Sequence, residues 1–266
     1  MLPLNLQSDL IQTAEALADA ARLAILPHFR SANLQADNKL SQGFDPVTQA
    51  DRAAEIAMRD VLAERRPMDA IFGEEFGVTS GESGLTWVLD PIDGTRGFLS
   101  GTPTWGVLIA LSDESGPQMG IIDQPYTGER FIGGFGRADW TGPHGGGTMQ
   151  VRTTQTIQDA IVFTTFPEVG TPEQAAAFGR VAARAKLARY GMDCYAYALL
   201  AAGHIDLVIE AGLQAYDIQA PIAVIEAAGG IVTDWEGNPA HNGGTALAAS
   251  TPELHAQALA LLKKTG

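Results

Sequence analysis

WVLDPIDGT, residues 87–95, begins with an apolar run, which is followed by two closely spaced carboxylates and a glycine turn. Residues 85–89 are predicted as a strand, so Asp90 falls where the strand ends and Asp93 follows three residues later. Two carboxylates this close repel each other unless a cation lies between them. Oxygen ligands of this kind suit magnesium, manganese or calcium. Taken as an isolated motif, however, the stretch is better interpreted as an Asp-Gly turn after a strand.

Three further carboxylates stand where they can join this pair. Glu74 follows the preceding predicted strand, so it can face Asp90 from a neighbouring strand end. Asp51 closes TQAD, which is also a capping box headed by Thr48, and the spacing fits capping and catalysis equally. Asp217 precedes an apolar helix and has an N-cap as its structural interpretation. Taken alone, Glu74 is better interpreted as part of a solvated turn, and spacing leaves both interpretations open for Asp51 and Asp217.

The charge of the chain limits its partners. The 266 residues carry a formal net charge of -14, which repels nucleic acid phosphates and anionic membranes. No apolar run reaches the length of about 18 residues that a membrane-spanning helix needs. The start of the sequence lacks the basic and apolar regions of a signal peptide. The single cysteine, Cys194, forms no intrachain disulfide and fits a reducing compartment, so we expect a cytoplasmic protein.

The two halves of the chain have different patterns. The first half predicts two helices, residues 8–30 and 48–65, and then an antiparallel meander of short strands. The second half alternates strands with helices, which is typical of an α/β arrangement. Its predicted strands are residues 161–164, 205–210, 231–233 and 246–249, and its predicted helices are residues 172–188, 193–202, 218–228 and a last one after Thr251. The turn-rich stretch 141–148 places the change near residue 145.

Four blocks taken together closely resemble the inositol monophosphatase family. They are DPVTQAD at 45–51, GEE at 73–75, WVLDPIDGT at 87–95, and YDI at 216–218 with its EAAGG tail at 226–230. The resemblance covers nearly the whole chain in the family's order. It implies a layered α-β-α-β-α sandwich, in which an α+β half, residues 1–145, carries most metal ligands and an α/β half, residues 146–266, closes the site. Because family members are commonly homodimers, it also implies a homodimer.

The resemblance implies a magnesium-dependent hydrolysis of a small phosphate monoester. In such a reaction cations lower the pKa of a bound water and stabilise the leaving oxygen, so no covalent intermediate is needed. Two or three Mg²⁺ ions would be bound by Glu74, Asp90, the backbone carbonyl of Ile92, Asp93 and Asp217.

Two further roles follow from the same resemblance. Thr95, partnered by Asp51, would orient and activate the attacking water. The amides of Gly94 and Thr95 would hold the phosphate at a helix N-terminus. The family often places a lysine near the metals, and Lys39 is a loosely spaced candidate.

The segments around these blocks resemble the histidinol-phosphatase branch, notably RGFLSGTPTWG at 96–106 and GMDCYAY at 191–197. The substrate of that branch carries an amine and an imidazole, which are cationic or hydrogen-bonding near neutral pH. Asp193 and Glu210 would suit such a leaving group, although a helix N-cap and a solvated strand end are their structural interpretations. Arg96 either touches the phosphate or pairs with an acidic neighbour, and the pairing is favoured.

Two alternatives remain at this point. One is an inositol monophosphatase or a phosphatase of broad sugar-phosphate specificity. The other is a regulatory binding protein that keeps the fold and contacts RNA or the transcription machinery, as some relatives do. The complete ligand set argues against a dead enzyme, and the acidic balance without a basic patch argues against RNA binding.

Overall fold

The computed structural model describes residues 2–32, 36–38 and 46–263, so Lys39 and Asp45 lie outside the described residues. Within this part of the chain, none of the helices combines the length and apolar character needed to cross a bilayer. The described residues form five alternating layers of helices and sheets. They have three apolar cores, of which the central one fills both interfaces of the middle helical layer.

The outermost layer is a pair of helices, α1 (Leu4–Ile25) and α2 (Gln49–Arg65). A short antiparallel ribbon, β1 (Ala36–Asn38) and β2 (Pro46–Thr48), comes between them in the chain. The predicted first helix was placed too far along, because α1 begins at Leu4 and ends at Ile25. Pro27 comes after the C-cap residue Leu26 and lacks the amide hydrogen that another helical turn requires.

The second layer is a large, mostly antiparallel sheet. Its strands are β3 (Ala70–Gly73), β4 (Gly77–Thr79), β5 (Thr86–Asp93), β6 (Gly106–Asp113), β7 (Gly116–Gln124), β8 (Glu129–Gly134), β9 (Arg137–Gly142) and β10 (Gly145–Thr148). They lie in the order β10-β9-β8-β7-β6-β5-β3-β4. The predicted meander is confirmed, and only β3 and β5 run parallel. A six-residue helix, α3 (Thr95–Ser100), follows β5.

The central layer holds α5 (Tyr195–Ala201) and α6 (Ala215–Ala227), which lie between the two sheets. Helix α6 is buried on almost every side, as a helix covered on both faces must be. Gly120 and Gly133 allow it to approach the large sheet closely. A Cβ at Gly120 would lie 2.5 Å from the carbonyl oxygen of Ala220, and one at Gly133 would lie 2.4 Å from Cα of Val224.

The last two layers are a five-stranded sheet and the helices α4 (Pro172–Ala182) and α7 (Pro252–Leu262). The strands are β11 (Ile161–Thr164), β12 (Leu187–Tyr190), β13 (Leu207–Leu213), β14 (Ile231–Thr233) and β15 (Gly244–Ala249), in the order β12-β11-β13-β15-β14. The predicted helix 172–188 was too long. It ends at Ala182, and after a turn at residues 183–186 the chain forms β12, because pairing with β11 outweighs the local helical preference.

The layered α-β-α-β-α architecture is therefore confirmed. Residue 145 falls in the hairpin of β9 and β10, and the change of sheet comes between Thr148 and Ile161. The central core contains residues from both sides of that change, such as Leu108 and Val208. The division into halves at 1–145 and 146–266 stays a prediction.

A buried ion-pair cluster fastens α1 to the large sheet. The carboxylate of Asp123 is fully buried and accepts hydrogen bonds of 2.6 Å from Nε of both Arg22 and Arg130.

We expect Asp123→Asn to lower the free energy of unfolding by about 3 kcal/mol, because it leaves two guanidinium groups short of a partner. Equilibrium urea unfolding measures this change. Asp19→Asn, which removes a 68% exposed partner of Arg130, is the matched control and should cost less than about 1 kcal/mol. Equal losses in both variants would contradict the argument.

Candidate active site

An irregularity in β5 brings two of the predicted site carboxylates together. Asp90 pairs with Leu108 and Asp93 with Gly106, so β5 contains one residue more than β6 over this interval. Side chains three residues apart on a regular strand point to opposite faces, and one extra residue returns them to the same face. Asp90 is also held by the amide of Ile92, which donates to its Oδ1 at 3.0 Å.

Glu74 reaches the same place from the neighbouring strand. Gly73 is in register with Leu89 in the parallel pair of β3 and β5, and the amide of Glu74 donates to the carbonyl of Leu89 at 3.1 Å. Glu74 therefore lies beside Asp90, as the sequence predicts, and contributes to the raised pKa of that carboxyl.

Asp217 lies on α6 and reaches the carboxylates of Asp90 and Asp93 from the central helical layer. The alternative interpretation of Asp217 as an N-cap was wrong, because Asp217 is the third residue of the helix. Its carboxylate accepts a hydrogen bond of 2.6 Å from the amide of Gln214, which is the N-cap residue. This contact turns the side chain toward the start of the helix and fixes it there.

The carboxylates of Asp90, Asp93 and Asp217 each offer an oxygen within 4.8 Å of the others. Burial raises the pKa of Asp90 well above its ordinary value, and the neighbouring charges of Glu74, Asp93 and Asp217 raise it further. Burial also raises the pKa of Asp93, together with the charges of Asp193 and Asp217. Buried carboxylate oxygens gathered this closely fit a divalent cation such as Mg²⁺, which relieves their repulsion and displaces their protons.

Thr95 and Asp51 form a second polar group next to the cluster. Oγ1 of Thr95 lies 3.1 Å from the carbonyl oxygen of Ile92 and 3.4 Å from Oδ1 of Asp51, so its proton can be donated to either acceptor. The other carboxylate oxygen of Asp51 accepts bonds from the amide and hydroxyl of Thr48, at 2.9 Å and 2.6 Å. The predicted capping box is confirmed, and the catalytic role of Asp51 stays a prediction.

The loop before α5 places Asp193 and Cys194 against this cluster. The predicted helix 193–202 starts later, at Tyr195, because Asp193 has a left-handed backbone with φ of 46°. As a result the amide of Cys194 donates to Oδ2 of Asp93 at 2.5 Å. The helix N-cap interpretation of Asp193 was therefore wrong. Its carboxylate instead accepts a bond of 3.0 Å from Oγ1 of Thr104.

The carboxylate of Asp193 packs directly on the turn between β5 and α3. A Cβ added at Gly94 would lie 2.6 Å from Cγ of Asp193, and one at Gly97 would lie 2.9 Å from its Oδ2. Gly94 also has a φ of 85°, which favours glycine independently. The glycine of the IDGT turn is thus required by the turn and by the side chain that covers it.

Glu210 is buried in the middle of β13, so the interpretation of a solvated strand end was wrong. Its Oε1 accepts bonds from the amide and hydroxyl of Thr165, at 2.6 Å and 2.9 Å, and its Oε2 accepts one from the hydroxyl of Thr164 at 3.2 Å. Burial raises the pKa of Glu210 to about 7, the hydrogen bonds of both threonines oppose this shift, and the charge of Asp193 adds to it.

Arg96 lies at the rim, with its guanidinium carbon 5.0 Å from the centre of the Phe166 ring. Burial raises the pKa of Asp193, and the hydrogen bond from Thr104 and the charge of Arg96 oppose this shift without cancelling it. This charge interaction between Arg96 and Asp193 is consistent with the favoured interpretation, in which Arg96 pairs with an acidic neighbour. Its role toward a substrate stays a prediction.

All these groups surround one cavity of about 450 Å³. Asp51 lies behind Thr95 and is only 1% exposed. Several lining residues were not predicted as site residues. Thr165, Phe166 and Gln214 come from loops that only the fold brings together, and Tyr197 and Tyr216 lie within quoted motifs but reach the cavity from α5 and α6.

A sequence model of the inositol monophosphatase family matches residues 6–266. The chain belongs to this family. The bifunctional phosphatase IMPL2 of Arabidopsis thaliana, described as chloroplastic, is 41% identical over 93% of this chain and 73% of its own. A histidinol-phosphatase of Streptomyces coelicolor is 35% identical over 96% of this chain and 97% of its own.

Solved structures agree with these sequence relatives. The structure of an inositol monophosphatase from Zymomonas mobilis superposes with a TM-score of 0.85 and 39% identity, over 97% of this chain and 98% of the other. The chain is therefore a phosphate monoester hydrolase of the inositol monophosphatase family. The family is generally metal-dependent, and this chain has an acidic cluster that can bind metal.

Proposed function

We propose that this hydrolase releases phosphate from histidinol phosphate with the help of Mg²⁺, as a step of histidine synthesis. The observation that carries the proposal is the pair of carboxylates, Asp193 and Glu210, in the wall of the cavity that also contains the metal-binding cluster. The leaving group of histidinol phosphate carries an amine and an imidazole, which suit an acidic wall better than a neutral polyol does.

The proposed ligands of two or three Mg²⁺ ions are Glu74, Asp90, the carbonyl of Ile92, Asp93 and Asp217. When bound, the ions would supply Lewis-acid catalysis and the positive charge that an anionic substrate needs in an acidic protein. The chain's own contribution is to hold these oxygens in place. The amides of Ile92 and Cys194 fix the carboxylates of Asp90 and Asp93.

The proposed catalytic pair is Thr95 and Asp51. The threonine hydroxyl accepts a hydrogen bond from the attacking water while it donates its own proton toward Asp51 Oδ1, 3.4 Å away. The Thr48 contacts hold Asp51 with that oxygen facing Thr95. The amides of Gly94 and Thr95, which line the cavity, are the proposed donors to the phosphate.

Relatives carry both the histidinol-phosphatase and the inositol monophosphatase names, so the choice of substrate depends on the acidic wall. The wall is preorganised, because Thr104 holds Asp193 and Thr165 holds Glu210 before any substrate is present. Inositol monophosphate and broader sugar phosphates are the alternative substrates, and they would use the same metal cluster.

The pH dependence of substrate preference tests the wall. Glu210 has a pKa of about 7, with Asp193 and Tyr197 as its ionisable neighbours, so it is mostly neutral at pH 6 and mostly ionised at pH 8. The amine of the substrate stays cationic over this range, as alkylammonium groups do, whereas its imidazole loses its proton over the same range and opposes the gain from Glu210. We therefore expect kcat/KM for histidinol phosphate, divided by that for inositol monophosphate, to rise from pH 6 to pH 8 by about 5-fold more in the wild type than in Glu210→Gln, where the imidazole effect remains and the carboxyl is absent.

The ratio removes effects that both substrates share, such as ionisation of the phosphate and of the metal ligands. Glu210→Gln keeps an acceptor for Thr165 but removes the titrating carboxyl, so its pH profile is the reference for the effect of the imidazole. Asp193→Asn should lower kcat/KM for histidinol phosphate by about 10-fold more than for inositol monophosphate. The same pH profile of the ratio in the wild type and in Glu210→Gln, or equal losses on both substrates in Asp193→Asn, would contradict the proposed specificity.

Two further expectations belong to this proposal. We expect a homodimer, which sedimentation equilibrium tests by mass. We also expect no specific RNA binding, because the net charge is -14. Tight and salt-sensitive retention of RNA in a filter-binding assay would favour the regulatory alternative instead.

A further inference from the structure

Glu55 is a fully buried carboxylate that neither the predicted ligand set nor the catalytic pair includes. It lies on α2 one helical turn after Asp51, and it points to the turn between β3 and β4. Its Oε2 accepts a hydrogen bond of 2.7 Å from the amide of Glu75, and its Oε1 accepts one of 3.2 Å from the amide of Phe76.

These contacts fix the backbone on both sides of Glu74. On one side the amide of Glu75 is bound by Glu55. On the other side Gly73 packs so closely that a Cβ there would lie 2.0 Å from Oε1 of Glu55. The amide of Glu74 itself is bound by the carbonyl of Leu89. The direction of the Glu74 side chain is thereby set by its neighbours.

Arg59 completes the arrangement one turn further along α2. Its Nε donates to Oε1 of Glu55 at 2.8 Å, which compensates the buried charge. Its other nitrogens donate to Oγ1 of Thr79 at 2.8 Å and to the carbonyl of Gly77 at 2.6 Å. The pair of Glu55 and Arg59 therefore binds both the turn after Glu74 and the strand β4 that follows it.

We propose that Glu55 is a positioning residue, which holds the Glu74 carboxylate in the orientation that binds the metal. The proposal rests on the proposed role of Glu74 as a ligand. Helix α2 then has two roles in the site: Asp51 accepts the proton of Thr95, and Glu55 orients the metal ligand Glu74. Partners that orient a ligand commonly change metal affinity by about 10-fold to 100-fold when they are removed.

The test is to titrate Mg²⁺ alone into the protein by calorimetry, and to measure activity against Mg²⁺ concentration. Glu55→Gln keeps the size of the side chain, but it loses one acceptor and the negative charge opposite Arg59. We expect it to weaken Mg²⁺ binding by about 10-fold, with kcat returning to within about 2-fold of the wild type at saturating Mg²⁺. Glu64→Gln, an exposed change on the same helix, is the matched control and should leave both readouts unchanged.

A purely structural role would give a different result, namely a lower melting temperature and a lower kcat with unchanged Mg²⁺ affinity. That result overturns the proposal. If Glu55→Gln does not fold, Arg59→Gln takes its place in the test. That variant leaves the carboxylate of Glu55 but removes the guanidinium that donates to it. An Arg59→Gln variant that binds Mg²⁺ as the wild type does would overturn the proposal equally.

Glu74→Gln separates this inference from the function on which it rests. If Glu74→Gln leaves Mg²⁺ binding unchanged, the ligand role of Glu74 is wrong. If Glu74→Gln weakens binding and Glu55→Gln does not, only the positioning role is wrong. When Glu55 acts through Glu74, the double variant binds Mg²⁺ no more weakly than Glu74→Gln alone, because the two effects share one path.

Discussion

Asp90→Asn lowers kcat/KM for a phosphate monoester by about 10³-fold or more and at the same time raises the melting temperature of the metal-free protein. The activity falls because a bound cation stabilises the transition state by several kcal/mol, and each 1.4 kcal/mol is about tenfold in rate. The structure keeps its local hydrogen bond, since the Asn carbonyl still accepts from the amide of Ile92.

The gain in stability follows from the sign of the pKa shift. The folded-state pKa of Asp90 is raised by burial and by the charges of Glu74, Asp93 and Asp217. A carboxyl with a raised pKa disfavours the folded state once the pH exceeds its unfolded value of about 3.9, and the penalty persists above the folded pKa. A neutral Asn removes this penalty, so the gain is larger at pH 7 than at pH 4.

Scanning calorimetry with and without Mg²⁺ measures the change in melting temperature and the response of the protein to the metal. The wild type should melt at a higher temperature when Mg²⁺ is added, because a ligand that binds only the folded state stabilises it. Asp90→Asn should lose most of that response. Asp60→Asn, an exposed change on α2, serves as the control. A variant that keeps the Mg²⁺ response would show that the cluster is not the metal site. A variant that melts lower without metal would contradict the argument from charge repulsion.

Thr95→Ala has the second largest expected effect, a fall in kcat of about 10²-fold to 10³-fold with little change in Mg²⁺ affinity. A positioned group that moves a proton contributes about this much to a rate. The hydroxyl lies between the carbonyl of Ile92 and the carboxylate of Asp51, where it can accept from water and donate to an acceptor. Thr95→Ser keeps that hydroxyl and should retain most of the activity.

Steady-state kinetics at saturating Mg²⁺ distinguish this role from a structural one. We expect KM to change by less than about 3-fold in Thr95→Ala, because the hydroxyl acts on the water and the loss falls on the chemical step. Asp51→Asn should give a comparable loss of kcat. If Thr95→Ala kept full activity, or if Thr95→Ser lost as much as Thr95→Ala, the proposed catalytic pair would be wrong.

Local sequence signals were sufficient to predict features that depend on one helix or one strand. The capping box of Thr48 and Asp51, the strand before Asp90 and the placement of Glu74 on the neighbouring strand follow from spacing and polarity. The order of helices, meander and alternating elements also follows from periodicity. Tertiary pairing overrides these signals at β12, where residues with ordinary helical preference join a sheet edge.

The geometry of the site depends on features that the sequence does not display. The extra residue in β5 aligns Asp90 with Asp93, yet nothing in the local pattern distinguishes it from a turn. The left-handed backbone of Asp193 costs free energy locally and is maintained by the contacts of the residues around it. Glu210 ends a predicted strand but lies buried in mid-strand, because two threonines from another segment satisfy it.

The most direct test of the account is phosphate release by the purified protein from histidinol phosphate, inositol monophosphate and a nucleoside monophosphate, each with Mg²⁺ and with a chelator. The account predicts release that the chelator abolishes and added Mg²⁺ restores, with kcat/KM highest for histidinol phosphate by about 10-fold or more. Release that the chelator leaves unchanged would contradict the metal mechanism. A clear preference for inositol monophosphate would contradict the role of the acidic wall formed by Asp193 and Glu210.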